Sequence, residues 1–159
     1  MRLILTDVDG VLTDGRVTLD VNGNEMKSIC YRDLDAIAIG RKAGFDFAFV
    51  TGENTEMVNA LAKRFSIERV YAGQKDKLEA MHRISKDFNV PLSGMLYIGD
   101  SDRDAPALKA VGLGIAPNDA TENAKACANV KTDSNGGYGV LLEVVNKLIA
   151  GKLSFPECK

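Results

Sequence analysis

Residues 3–15 read LILTDVDGVLTDG, a mostly apolar run followed at once by two carboxylates, Asp7 and Asp9. The run lacks the polar alternation of a half-exposed strand, so it predicts a strand covered on both faces, as in a parallel sheet flanked by helices. Like charges so close repel, and each costs desolvation when a site closes around it. The pair therefore asks for a cation, a chemical task, or both. The plainer alternative is an Asp-Gly turn that merely ends a strand.

Working outward, apolar runs alternate with helical patterns, the signature of α/β architecture. Strands are expected at 2–8, 45–51, 69–71, 94–98, 113–116 and 129–131. Helices are expected from Arg32 to Gly44, after an N-cap at Asn54 or Thr55, through KDKLEAMHRISKDF up to Pro91, at 105–110 and at 140–148. One segment breaks the alternation: two β-prone runs around Asn22-Gly23 predict a hairpin at about 16–30. The fold class is thus α/β, a Rossmann-like doubly wound parallel sheet with a β-hairpin insertion after the first strand, over a single domain, 1–159. An isolated hairpin is marginal in water, so this one is expected to pack against something such as a second subunit.

Open parallel sheets bind ligands beyond the carboxyl ends of their strands. There the sequence places Asp7 and Asp9, then Thr51-Gly52, then Lys75 and Lys77 at the next helix start, then Asp100 and Asp104 in IGDSDRD. Each has a dull reading alone: a strand terminator, a solvated lysine, acids at a helix N-terminus. Their order, each at a successive βα boundary, has no structural reason. It suits phosphoryl transfer, which needs a nucleophile, charge neutralisation and help for the leaving oxygen. A carboxylate can attack phosphorus, and Mg²⁺ held by Asp7, Asp100 and the Asp9 carbonyl can screen the repulsion. Thr51 and a lysine can bind the phosphoryl group, which leaves the Asp9 carboxyl free for proton work.

DVDGVLTDG, TGE, a lysine opening the next helix and GDSDRD resemble the four motifs of the haloacid dehalogenase superfamily. Within it, the chain resembles the capless branch of 3-deoxy-D-manno-octulosonate (KDO) 8-phosphate phosphatases and their nine-carbon sugar-acid 9-phosphate relatives. The resemblance implies Asp7 as nucleophile and Asp9 as general acid, then general base. It implies Thr51 and Lys77 as phosphate ligands, with Lys77 preferred to Lys75 because the motif lysine directly precedes an apolar turn, here Leu78. Asp7, Asp9 (through its carbonyl) and Asp100 would hold Mg²⁺, with Asp104 supporting them. Glu53, and Arg64 eleven residues on, resemble a substrate-reading pair of the nine-carbon enzymes. The intervals between motifs leave no room for a cap domain, and a homotetramer joined by its hairpins is implied. The chain departs from the branch at Ser101, where a second Asp is usual, at Leu142, where an Arg is usual, and at the stretch RDLDA, 32–36.

Other classes are disfavoured. A net charge of −2 gives no electrostatic footprint for nucleic acid or an anionic membrane, so a phosphorylated small molecule must be handled locally. Cys30, Cys127 and Cys158 are odd in number and far apart, unlike a disulfide framework or a zinc site. No apolar run is long enough for a membrane span, and the chain opens directly on a strand; a cytoplasmic location is expected. His82, the lone histidine, has no acidic or nucleophilic partner nearby. Two alternatives stay open: a non-catalytic regulatory module keeping the fold, and a response-regulator receiver. The receiver's phosphate-accepting aspartate ends the middle strand, where this chain has Thr51.

Overall fold

In a computed structural model that describes residues 2–157, β1 (Arg2–Thr6) lies inside a six-stranded sheet. Its order is β5-β4-β1-β6-β7-β8, and all five pairings are parallel. The partners are β4 (Phe45–Val50), β5 (Arg69–Tyr71), β6 (Leu96–Ile98), β7 (Leu113–Ala116) and β8 (Val130–Lys131). The chain runs from β1 to one side, then returns to add β6, β7 and β8 on the other. The reversal makes a crevice beyond the ends of β1, β4 and β6.

Strand geometry divides the core in two. Because side chains alternate across a strand, Ile4, Phe47 and Phe49 face one layer, and Leu3, Leu5, Ala48 and Val50 face the other. Against the first layer pack α1 (Tyr31–Lys42), α2 (Glu56–Arg64) and α6 (Val140–Ile149), through Ile37, Leu61 and Leu141. Against the second pack α3 (Lys77–Phe88), α4 (Ala105–Ala110) and α5 (Glu122–Cys127), through Met81, Leu108 and Ala124. Three helices on each face make the sheet doubly wound, as the continuous apolar runs predict.

The differences are local. Helix α5 is absent from the sequence reading; its six residues offer little periodicity, and its one clear mark is Thr121, whose hydroxyl accepts from Ala124 N. The hairpin forms, with β2 (Thr18–Leu19) paired antiparallel to β3 (Glu25–Met26). Asn22-Gly23 falls in the loop between them, as expected. Asp20 N donates to the Asn24 carbonyl and Gly23 N to the Asp20 carbonyl, and Gly23 takes a φ of 81°. This is a three-residue loop closed by a left-handed glycine, braced where Asn22 N and Asn24 N donate to the Asp20 carboxylate.

Candidate active site

Where β1 ends, Asp7 turns its carboxylate into the crevice at 8% exposure. Val8 N donates to its Oδ1 at 2.7 Å, and Lys77 Nζ lies 2.9 Å from its Oδ2. Lys77 opens α3, which Asp76 caps by accepting from Glu79 N. The ammonium is 2% exposed and also contacts Asp104 Oδ1 at 2.9 Å, the Val50 carbonyl and the Tyr97 hydroxyl, both at 3.1 Å. Every atom around it is an acceptor, so the buried cation is fully compensated. Lys75, by contrast, is exposed.

Asp104 is saturated from within. Its Oδ1 accepts from Lys77 and the Tyr97 hydroxyl, its Oδ2 from Asp100 N, Ser101 N and the Ser101 hydroxyl. These bonds brace the turn that carries Asp100. Ser101, the departure from the usual acid, thus serves Asp104. Asp100 itself accepts no side-chain hydrogen bond among the described residues, and it presses on Gly10 so closely that a Cβ there would collide with its carboxylate. Gly10 is required on this ground and by its φ of 81°.

Burial dominates the electrostatics. It pushes the Asp7 carboxyl up to about 7, with Lys77 pulling down and the Asp104 charge pushing further up. Asp100 is also pushed to about 7, by burial and then by Asp104. Burial acts against the Lys77 charge, yet Asp7 and Asp104 together hold its pKa above the usual lysine value. Asp104 is held low despite burial, by Lys77 and the Tyr97 hydroxyl. Oxygen atoms of Asp7, Asp100 and Asp104 lie within 4.8 Å of one another. Asp104 has no free lone pair to offer, whereas Asp7 and Asp100 carry costly charge that a cation would relieve. An all-oxygen donor set of this kind fits a hard divalent ion such as Mg²⁺.

Asp9 sits beside this group on the loop after β1. Its Oδ1 accepts from Lys27 Nζ at 2.8 Å and from the Thr13 hydroxyl at 3.4 Å. Gly136 and Gly137 lie against the same loop: Gly137 N donates to the Val11 carbonyl, and a Cβ on Gly136 would strike the Gly10 carbonyl. The GGYG stretch therefore fixes the Asp9 loop within its own chain. Thr51, 1% exposed, follows the last residue of β4, and its hydroxyl accepts from Glu53 N. A cavity of about 420 Å³ brings together Asp7, Asp9, Thr51, Glu53, Lys77 and Asp100, with Arg103 and Thr121 also on its wall.

A family model described as haloacid dehalogenase-like hydrolase matches residues 62–144. The KDO 8-phosphate phosphatase of Salmonella typhi is 31% identical over 159 residues, covering 100% of this chain and 85% of that protein. The chain belongs to the haloacid dehalogenase-like hydrolases. Among solved structures, the Moraxella catarrhalis KDO 8-phosphate phosphatase, in complex with magnesium, phosphate and KDO, matches with a TM-score of 0.87. It is 31% identical, with 96% of this chain and 91% of that one covered. The cobalt-bound enzyme from Haemophilus influenzae matches at 0.88, with 29% identity and coverage of 96% and 89%. The expected family and the expected doubly wound fold are both borne out.

For this hydrolase the structure gathers all but one of the expected site residues. Arg64, read as the partner of Glu53, lies elsewhere. Helix α2 carries it roughly 12 Å along the axis from Glu56, and its guanidinium stacks on Tyr31 at 5.6 Å from the ring centroid. It lines a separate groove with Tyr31 and Arg41. Three residues were not read from the sequence: Lys27, Tyr97 and Arg103. The first two gain their meaning from tertiary placement. A basic residue inside GDSDRD was a legible signal for the third. Cys30 and Cys127 are free thiols; Cys158 lies outside the described residues.

Proposed function

We propose that the protein is a Mg²⁺-dependent phosphatase that hydrolyses the phosphomonoester of a 2-keto-3-deoxy sugar acid through an aspartyl-phosphate on Asp7. One observation carries the reading: a buried carboxylate at the end of β1, held by Lys77, with a second, partly exposed carboxyl on the loop that follows. An Asp7 oxygen attacks phosphorus, and the bond to the substrate's oxygen breaks as that oxygen takes the proton of the Asp9 carboxyl. Asp9, now a carboxylate, takes a proton from water as the water oxygen attacks phosphorus. The Asp7–phosphorus bond breaks, and phosphate leaves. Lys77 and Thr51 bind the equatorial oxygens. Asp7, Asp100 and the Asp9 carbonyl would hold Mg²⁺, whose charge screens the repulsion between carboxylate and phosphate.

The named relatives act on the eight-carbon 8-phosphate, and this is the substrate favoured here over a nine-carbon 9-phosphate. Glu53, on the cleft wall, would face the sugar. Arg64 takes part in recognition only in an assembly that brings one copy's Tyr31 groove to another copy's cleft. A homotetramer is the state proposed, supported by the exposed apolar hairpin residues Leu19 and Met26. No helix among the described residues is long and apolar enough to cross a membrane, and a cytoplasmic location is proposed. Phosphate release measured on both esters tests the substrate. Faster turnover of the eight-carbon ester supports the reading, and a preference for nine carbons would shift it and make Glu53 the residue to examine.

A further inference from the structure

The hairpin is solvated almost throughout: Thr18, Leu19, Val21, Glu25 and Met26 are all exposed. Lys27, the residue after β3, is the exception. Its side chain is 6% exposed, and its ammonium lies 2.8 Å from Asp9 Oδ1. Burying an ammonium is costly unless it is paired, and an apolar residue would anchor a hairpin at no such cost. Anchoring alone therefore does not account for a lysine here. The geometry around Asp9 does. Lys27 and Thr13 both occupy Oδ1, while Oδ2 has no hydrogen-bond partner among the described residues and Asp9 lines the cleft.

We propose that Lys27 is a positioning residue for the acid–base carboxyl: by holding Oδ1 of Asp9, it aims Oδ2 at the leaving-group oxygen. The inference rests on the reading of Asp9 given above. Oδ2 delivers its proton to the departing oxygen as the phosphorus–oxygen bond breaks, and later takes one from water. Lys27 remains an ammonium throughout and exchanges no proton. The hairpin thereby becomes part of the catalytic apparatus, setting the orientation of a group eighteen residues before its anchor.

The test compares kcat/KM on two esters, KDO 8-phosphate and p-nitrophenyl phosphate. The first leaves as an alkoxide that must be protonated, the second as a stable phenolate that need not be. Lys27→Met should lower kcat/KM on the alkyl ester by about tenfold or more, in kcat with KM nearly unchanged, and on the aryl ester by less than about threefold. Lys27→Arg, which keeps a charged donor, should recover most of the loss. The ratio of the two values is insensitive to partial unfolding, which removes the same fraction of active protein from both assays. Equal losses on both esters, or no loss on either, would overturn the role of Lys27. Wild-type protein that hydrolyses neither ester would overturn the reading of Asp9 as well, so the two failures are distinct.

Discussion

At the scale of single residues, the site stands on carboxylates made costly by burial and unequally compensated. Asp7 has one ammonium, Asp104 has an ammonium, a phenol, a serine hydroxyl and two backbone amides, and Asp100 has no such partner among the described residues. Asp7→Asn keeps the shape and removes the proposed nucleophile, so phosphate release should fall at least about 10³-fold while circular dichroism stays that of the wild type. Tyr97→Phe removes the phenol that Asp104 and Lys77 share. Leaving those buried groups a partner short should cost about 1–3 kcal/mol, read as a lower urea midpoint. Asp7, Asp9, Thr51, Lys77 and Asp100 were legible because each stands at a strand end or helix start, where sequence order alone fixes the neighbourhood. Tyr97 was not. Inside LYI, residues 96–98, it reads as one more apolar strand residue, and its hydroxyl acquires a role only when α3 and α4 close over it.

At the scale of elements, the junction of α1 with α6 holds a testable strain. Asp33, fully buried on α1, accepts from Leu142 N at the start of α6, and its Oδ2 has no partner among the described residues. Burial pushes its carboxyl up to about 6, against the backbone donors of α6 that pull it down. A folded-state value above the unfolded one means that the fold prefers the protonated form. That contribution is fully present below about pH 4 and is lost as pH rises through about 6. Its full size is on the order of 3 kcal/mol. Asp33→Asn should abolish this dependence, gaining stability over the wild type between pH 4 and pH 7 in urea titrations; parallel curves would contradict it. Within RDLDA, Asp33 is the residue that makes this junction. The elements themselves were readable from continuous apolar runs and helical spacing. Helix α5 was not: ENAKAC has only small apolar residues to mark a face, whereas the equally short α4 carries Leu108, and the length of the hairpin loop follows from the Asp20 side chain that braces it.

At the scale of the whole molecule, the hairpin leaves Leu19 at 62%, Met26 at 56% and Val21 at 100% exposure, with Tyr31 at 73%. Apolar side chains exposed in such number on the hairpin and at the start of α1 suit the proposed contact with a second copy. Sedimentation should therefore give a tetramer, and Leu19→Asp combined with Met26→Asp should shift it to smaller species. A monomeric wild type would contradict the proposed assembly. Chelation should stop turnover, and added Mg²⁺ should restore it, because Asp100 and Asp7 together carry more charge than Lys77 offsets. The measurement that bears most directly on the account is phosphate release from KDO 8-phosphate with Mg²⁺ present, wild type beside Asp7→Asn. Turnover by the wild type and its loss in a folded Asp7→Asn protein are the predicted result; equal rates in the two, or none in the wild type, would contradict it.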